Sequence, residues 1–348
     1  MNKRIVIKIG TNLLTEKLCG LKVDFINDIS RQIAKLKNDG IEILIVTSGA
    51  IGAGCTELNI KKSREMEVRQ ALAAVGQSTV MKAYHTAFSK YNIKVAQILL
   101  TYEDFSNRKR NLNLRKAINK LLELGVIPII NENDPISVDE ISATFGDNDK
   151  LSALVASELS ADLLIMLSDI DGLYDKNPNK YQDAVLIKEV KNITKDIENA
   201  AGKSGSAFSI GGMATKITAA KIVMDSGCDL IICNGKKKDI LSKAINNTEG
   251  TVFVAKGNLS KKERWIKFSR SKGTLTIDKG AEKALLNNSS LLSVGIKKIA
   301  GVFNKNDVVD INDCARGIIE FSSEELKNII GTKGKLVVKS ENLVLLQR

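Results

Sequence analysis

The stretch Gly146–Ala153 combines residue types that suit either a helix start or a reaction site. A glycine is followed by Asp147, Asn148 and Asp149, and then by an apolar pattern typical of a helix. Asn and Asp side chains accept hydrogen bonds from the free amides of a first helical turn, so one of them would suffice as a cap. Three in a row exceed that need. The stretch alone leaves two interpretations open, a helix cap and a functional site.

Two lysines beside glycine turns have the right chemistry for a phosphate group. Lys8 ends an apolar run just before a glycine, and Lys216 follows the pair Gly211 and Gly212. Glycine lets backbone amides approach an anion, and a helix N-terminus adds partial positive charge. Phosphoryl transfer asks the protein for alignment and for neutralisation of oxygen charge. Each lysine alone could equally be an ordinary surface residue, so only the set of turns points to a site.

A strand, a glycine-rich turn and a helix occur twice in succession at the start of the chain. This pattern predicts an α/β fold with an open, mainly parallel sheet sandwiched by helices. In such sheets ligands bind beyond the carboxyl ends of the strands, where several of the candidate polar residues are expected. Apolar runs that predict buried strands cover residues 3–9, 41–47, 94–100, 126–130, 162–167 and 230–233.

The pattern changes after Gly257, where strands become short and helix sparse. We expect residues 1–257 to form the α/β domain, 258–271 a basic linker, and 272–348 a small, mainly β, barrel-like domain. Alternation over Val302–Ile311 predicts a β-hairpin in that last part.

Composition excludes several classes of protein. The single histidine, His85, lies in a helical pattern, which argues against a histidine-based triad or a multi-histidine zinc site. The five cysteines form no CxxC pair and indicate reduced thiols of a cytoplasmic protein. No apolar stretch approaches the roughly 18 residues of a membrane span, and no signal segment begins the chain.

The formal charge of +12 is unevenly distributed. Residues 258–348 hold 17 basic and 10 acidic side chains, hence +7, and the first 257 residues carry the remaining +5. This balance suits nucleic acid or other anionic partners. A proteome rich in solvated lysines would explain it equally well.

Seven short motifs occur in the first domain: Lys8–Thr11, Thr47–Ile51, Ala74–Gln77, Asn131–Asp134, Gly146–Asp149, Ser168–Tyr174 and Gly211–Lys216. In this order they resemble the amino acid kinase family, and within it the members that phosphorylate glutamate. Through Ser289–Leu292 and Gly301–Phe303 the tail resembles the C-terminal PUA domain of those members. The resemblance covers nearly the whole chain.

The resemblance implies ATP-dependent phosphorylation of the γ-carboxylate of L-glutamate to L-glutamyl 5-phosphate, the first step of proline biosynthesis. Lys8 and Lys216 would neutralise the transferring group, and Asp149 would hold both lysines. Glutamate would bind to Ser48, Asp134 and Asn148. The nucleotide would bind to Lys8, Ser168, Asp169, Ile210, Gly211, Gly212, Met213, Ala214, Thr215 and Lys216. Mg²⁺ would be carried mainly by the phosphates, with no protein metal site.

The resemblance further implies a homo-oligomer and feedback inhibition by proline, with Ser137–Phe145 as a candidate effector region. RNA binding by the tail stays open, and no membrane partner is expected. Two alternatives remain: an RNA-binding protein with the α/β half as scaffold, and a sibling kinase acting on acetylglutamate, carbamate or UMP. The appended tail and Asn131–Asp134 argue against the sibling kinase.

Overall fold

The structure, a computed structural model, describes residues 3–16, 20–136, 148–178, 180–203, 212–257, 259–332 and 334–346. The chain divides into two units, the first made of residues 1–104 and 108–258 and the second of residues 105–107 and 259–348. No helix among the described residues is long and apolar enough to cross a membrane.

The first unit is built on an eight-stranded sheet, as the strand and turn pattern predicts. Its order is β3-β4-β2-β1-β5-β7-β8-β6, and every pairing is parallel except that of β7 with β8. The strands are β1 (Arg4–Ile9), β2 (Glu42–Val46), β3 (Val95–Leu100), β4 (Ile127–Glu132), β5 (Leu163–Ser168), β6 (Glu189–Val190), β7 (Asp229–Asn234) and β8 (Thr251–Phe253).

Helices flank this sheet, and their apolar residues join those of the strands in one core. An amphipathic pattern makes α2 pack on the sheet through its apolar face, and α4 adds Val80, Tyr84 and Phe88 to the same core. The helices are α1 (Thr11–Leu14), α2 (Val23–Asn38), α3 (Ala50–Glu57), α4 (Met66–Ser89), α5 (Tyr102–Ser106), α6 (Arg108–Glu123), α7 (Asn148–Glu158), α8 (Lys195–Lys203), α9 (Met213–Asp225) and α10 (Ile240–Ile245); a short 3₁₀ helix covers Asp134–Ile136.

The central strand β1 brings the candidate residues to one edge of the sheet. It pairs with β2 on one side and with β5 on the other, so that Lys8 lies opposite Val46 and Met166. Because the three strands are parallel, their carboxyl ends and the loops that follow them meet at the same edge. The buried helix α7 packs against β1 and begins at Asn148.

Helices α3 and α4 approach each other through two glycines. A Cβ on Gly54 would lie 1.9 Å from the carbonyl oxygen of Leu72, and one on Gly76 would lie 1.9 Å from that of Ala50. No side chain fits at such distances, so the two backbones pack directly against each other. The turn before α3 also needs glycine, because Gly49 has a φ of +96°.

The second unit has a five-stranded sheet of order β11-β9-β12-β13-β15 and a two-stranded sheet of β10 and β14. All its pairings are antiparallel except β9 with β12. Its strands are β9 (Gly273–Ile277), β10 (Leu291–Leu292), β11 (Ile296–Gly301), β12 (Val308–Ile311), β13 (Ala315–Ile318), β14 (Leu336–Val338) and β15 (Leu343–Leu345). Its helices are α11 (Lys261–Phe268), α12 (Lys279–Leu286) and α13 (Ser323–Ile329), with 3₁₀ turns at Ser293–Gly295 and Ser340–Asn342.

The structure corrects two expectations for this unit. The segment 258–271, expected to be a basic linker, contains α11, which opens with a capping box between Ser260 and Glu263 and buries Trp265 and Ile266. The predicted hairpin over Val302–Ile311 is also wrong, because β9 lies between β11 and β12 in the sheet. The hairpin is formed instead by β12 and β13, whose residues Val308 and Ile318 face each other.

Candidate active site

One carboxylate binds both predicted lysines. Asp149, on the first turn of α7, is fully buried; its Oδ1 lies 2.5 Å from Nζ of Lys8, and its Oδ2 lies 3.0 Å from Nζ of Lys216. Both lysines are almost completely buried. Lys8 comes from the end of β1 and Lys216 from the first turn of α9, so three separate elements converge. Buried charges are tolerated when they are paired in this way.

A hydroxyl completes the described contacts of the carboxylate. Oγ1 of Thr215 donates to Oδ2 of Asp149 at 2.8 Å. Two ammonium groups thus meet at one carboxylate at the carboxyl edge of a parallel sheet. Buried ammonium groups at this edge suit an anionic group such as a phosphate.

Helix α9 starts from a glycine. Gly212 is its N-cap residue, and the part of the chain that the structure describes shows no side-chain cap there. Met213, Ala214 and Thr215 follow as the first residues of the helix. The first-turn amides and the helix dipole both favour an anion here. The predicted nucleotide residues Ile210 and Gly211 lie outside the described residues, so the structure does not test them.

The other predicted nucleotide residues lie at the end of β5. The Oγ of Ser168 donates to Asp169 at 3.3 Å, and Nδ2 of Asn12 donates to the same carboxylate at 2.9 Å. Burial alone would raise the pKa of Asp169, but these bonds and one from its own backbone hold that pKa below its usual value. Asp169 is therefore a fixed, ionised acceptor at neutral pH.

The residue before Asp149 belongs to a second, uncharged cluster. Nδ2 of Asn148 lies 3.0 Å from Oγ of Ser48 and 2.9 Å from Oδ1 of Asn131, and it also donates to the carbonyl oxygen of Thr47. Nδ2 of Asn131 donates in turn to Oε1 of Gln77 at 2.9 Å. All five residues are buried. The structure thus joins two of the three predicted glutamate residues, Ser48 and Asn148.

The third predicted glutamate residue, Asp134, lines a cavity of about 270 Å³ together with Gln77 and Glu132. Burial, with a further contribution from the charge of Glu132, raises the pKa of Asp134 to about 6, against the opposing charge of Arg69. Asp134 has no described hydrogen bond to Ser48 or Asn148. Gln77 connects the two parts, since it belongs both to the cavity wall and to the amide cluster.

Sequence reasoning missed Asn12, Thr47, Gln77 and Asn131 as members of these clusters. Asn131 and Gln77 lie inside motifs that carry the family resemblance, and this was the available signal. Of the five cysteines, Cys55, Cys228, Cys233 and Cys314 are buried and form no disulfide, and Cys19 lies outside the described residues. His85 is exposed on α4.

A parallel sheet with paired lysines at its carboxyl edge defines a phosphotransferase of the α/β class, and sequence comparison agrees. Residues 3–234 match the amino acid kinase family and residues 273–341 match the PUA domain. The chain therefore belongs to the amino acid kinase family.

Two similar proteins carry a more specific name than that of the family. A protein of Methanosarcina barkeri (strain Fusaro / DSM 804) named glutamate 5-kinase is 48% identical, over 99% of this chain and 97% of its own length. One of the same name from Caldanaerobacter subterraneus subsp. tengcongensis is 44% identical, over 99% and 98%.

Among solved structures, carbamate kinase from Giardia lamblia bound to AMP-PNP aligns with a TM-score of 0.52 at 16% identity, over 73% of this chain and 98% of that one. At this identity the likeness supports the fold alone.

Proposed function

We propose that the protein transfers the γ-phosphoryl group of ATP to the γ-carboxylate of L-glutamate, forming L-glutamyl 5-phosphate for proline biosynthesis. The single observation that carries the proposal is the convergence of Lys8 and Lys216 on the buried Asp149. Full-length similarity to proteins named glutamate 5-kinase supports the choice of substrate.

The transfer is a direct displacement. A carboxylate oxygen of glutamate forms a bond to the γ-phosphorus, the bond to the bridging β,γ-oxygen breaks, and ADP departs with that electron pair. A carboxylate is already nucleophilic, so no general base is required. The two lysines stabilise negative charge on the transferring oxygens, and Asp149 keeps them aligned for it.

The uncharged cluster would bind the amino acid. The amide NH₂ of Asn148 is directed at Thr47, Ser48 and Asn131, which leaves its oxygen as an acceptor for the substrate ammonium. Asp134 supplies a negative charge for the same ammonium. Ser48 lies next to both the amide cluster and the turn at Gly49, close to where the reacting carboxylate would be held.

The nucleotide would lie against the start of α9 and the Ser168-Asp169 turn. Mg²⁺ would be held by the phosphate oxygens of ATP and would supply further charge neutralisation. The described residues contain no group of three or more His, Cys, Asp or Glu side chains arranged for a metal ion.

An acyl phosphate is trapped by hydroxylamine, and this gives a direct test. Purified protein with ATP and Mg²⁺ should release ADP and form γ-glutamyl hydroxamate with glutamate. N-acetylglutamate, carbamate and UMP are the comparison substrates. Turnover of one of these without hydroxamate from glutamate would refute the proposal.

RNA binding by the second unit is a second candidate function, favoured by the PUA match and by the net +7 of residues 258–348. It predicts RNA affinity that falls steeply as salt is raised and that survives loss of Lys216. RNA binding that is absent or independent of salt would exclude this function.

Homo-oligomer formation and inhibition by proline stay predictions; the candidate effector region Ser137–Phe145 lies outside the described residues.

A further inference from the structure

Three side-chain amides form a continuous chain from the start of α7 to the middle of α4. Nδ2 of Asn148 donates to Oδ1 of Asn131 at 2.9 Å, and Nδ2 of Asn131 donates to Oε1 of Gln77 at 2.9 Å. The three side chains are 9%, 3% and 7% exposed. Because water has little access to them, each amide depends on its neighbour in the chain for its hydrogen bonds.

The direction of this amide chain is fixed at one end. The carbonyl oxygen of Thr47 accepts from Asn148, and a carbonyl cannot act as a donor. Asn148 must therefore turn its NH₂ towards Thr47 and Asn131. Asn131 must then present its oxygen to Asn148 and its own NH₂ to Gln77, so the order of donors and acceptors is set from Thr47 outward.

At the other end of the amide chain, this direction leaves one donor of Gln77 without a described partner. Nε2 of Gln77 is buried and has no hydrogen-bond partner among the described residues. An unpaired buried donor is unfavourable, and turning the amide of Gln77 alone would place two NH₂ groups against each other at Asn131. Gln77 therefore keeps the orientation that gives Asn131 an acceptor, although its own NH₂ has no partner among the described residues.

We propose that Gln77 is a positioning residue for the amino-acid substrate, acting through Asn131 on Asn148, an inference that rests on the proposed function. With its NH₂ held by the amide chain, Asn148 directs its oxygen at the substrate ammonium. Without an acceptor at Gln77, Nδ2 of Asn131 loses its described partner, and the side chain of Asn131 is held less firmly against Asn148. Asn148 keeps its contacts with Thr47 and Ser48 but has a weaker third contact, so its amide oxygen is positioned less precisely.

The test is Gln77→Met, which keeps the length of the side chain and removes its acceptor. We expect the KM for glutamate to rise about tenfold, the effect of one lost buried hydrogen bond, with kcat and the KM for ATP within about twofold. Folding should be little changed, because the substitution also removes the unpaired donor. Ser89→Ala is the matched control; its exposed hydroxyl donates to Thr86 of the same helix, and its KM should equal that of wild type.

Two further variants separate positioning from a general packing role. In an Asn148→Ala background, Gln77→Met should change the KM for glutamate less than about twofold, since the residue it acts on is gone. Gln77→Glu keeps an acceptor for Asn131 and should hold that KM within about threefold of wild type.

A wild-type KM in Gln77→Met, an equal loss in both backgrounds, or a tenfold loss in Gln77→Glu would each overturn the proposal. Should Gln77→Met fail to fold, Gln77→Leu, which also lacks an acceptor, takes its place in both backgrounds and is judged by the same outcomes. Formation of γ-glutamyl hydroxamate by the wild-type protein tests the proposed function separately, so the two failures are distinguishable.

Discussion

The first turn of α7 sends two consecutive residues into clusters of opposite character. Asp149 binds two lysines through ionic contacts, whereas Asn148 enters a network of neutral amides and hydroxyls. The charged cluster lies where phosphoryl charge would be neutralised, and the neutral cluster where a small molecule would be oriented. Helix geometry separates them, because adjacent residues point about 100° apart.

The two clusters also differ in the free energy that is lost when one contact is removed. A buried ion that loses its partner costs about 3–5 kcal/mol, whereas one neutral hydrogen bond contributes about 1 kcal/mol. Changes in the charged cluster should therefore affect rate and stability strongly. Changes in the neutral cluster should act mainly on the affinity for the amino acid.

The largest expected effect is that of Lys216→Ala. Loss of one of the two ammonium groups should lower kcat about 10³-fold while folding is retained, because Asp149 keeps Lys8 and Thr215 as partners. Hydroxamate formation at saturating substrates measures it. Lys221→Ala is the control on the same helix, since Lys221 pairs with Glu198 at the surface. A loss of less than tenfold would remove Lys216 from the chemistry.

Asp149→Asn should lower kcat about 10²-fold and the free energy of unfolding by about 3 kcal/mol, because two buried ammonium groups lose their counter-charge. Urea denaturation followed by circular dichroism gives the stability change. Asp183→Asn breaks an exposed pair with Lys176 and should change stability by less than about 1 kcal/mol. Equal effects of the two variants would contradict the contrast between buried and exposed pairs.

Asn148→Ala tests the neutral cluster directly. We expect the KM for glutamate to rise about 30-fold, with the KM for ATP unchanged, since the proposed role of the amide oxygen is to accept from the ammonium of the amino acid alone. Steady-state kinetics with each substrate varied in turn would show the difference. A matching rise in the KM for ATP would mean that the two clusters are not separate.

The smallest effect concerns pH and the cavity. The raised pKa of Asp134, about 6, means that its carboxyl is ionised above pH 6 and neutral below it. As pH falls through 6, the carboxylate of Asp134 is protonated and no longer attracts the ammonium group of the substrate. The value of kcat/KM for glutamate should therefore fall by up to about tenfold per pH unit. Asp134→Asn should show a lower value at pH 8 and no such decline. A wild-type profile flat from pH 5 to 8 would rule out this role.

Local pattern predicted the sheet and picked out the two lysines, and the family resemblance added Asp149 as the residue that holds them, because all of these depend on short motifs. Strand, glycine and helix recur in order, and Lys8 and Lys216 each stand beside glycine turns. The amide chain could not be predicted in this way. Gln77 and Asn131 are 54 residues apart, and only tertiary packing makes them neighbours.

The two errors in the second unit have different origins. The four basic residues of Lys261–Phe268 favour a linker by composition, but Ser260 and Glu263 form a capping box, which predicts a helix start. The hairpin error arose because β9, earlier in the chain, separates β11 from β12. Non-local strand order of this kind leaves no mark in the local alternation of side chains.

The direct backbone contact at Gly54 and Gly76 has a consequence for how substrate preference can evolve. Gly76 immediately precedes Gln77, and the helix that contains Gly54 starts just after Ser48, so the two helices adjoin residues of the proposed amino-acid site. An added methyl at either position would push the two backbones apart without altering any polar group. Substitutions at residues outside the proposed site would in this way change its geometry.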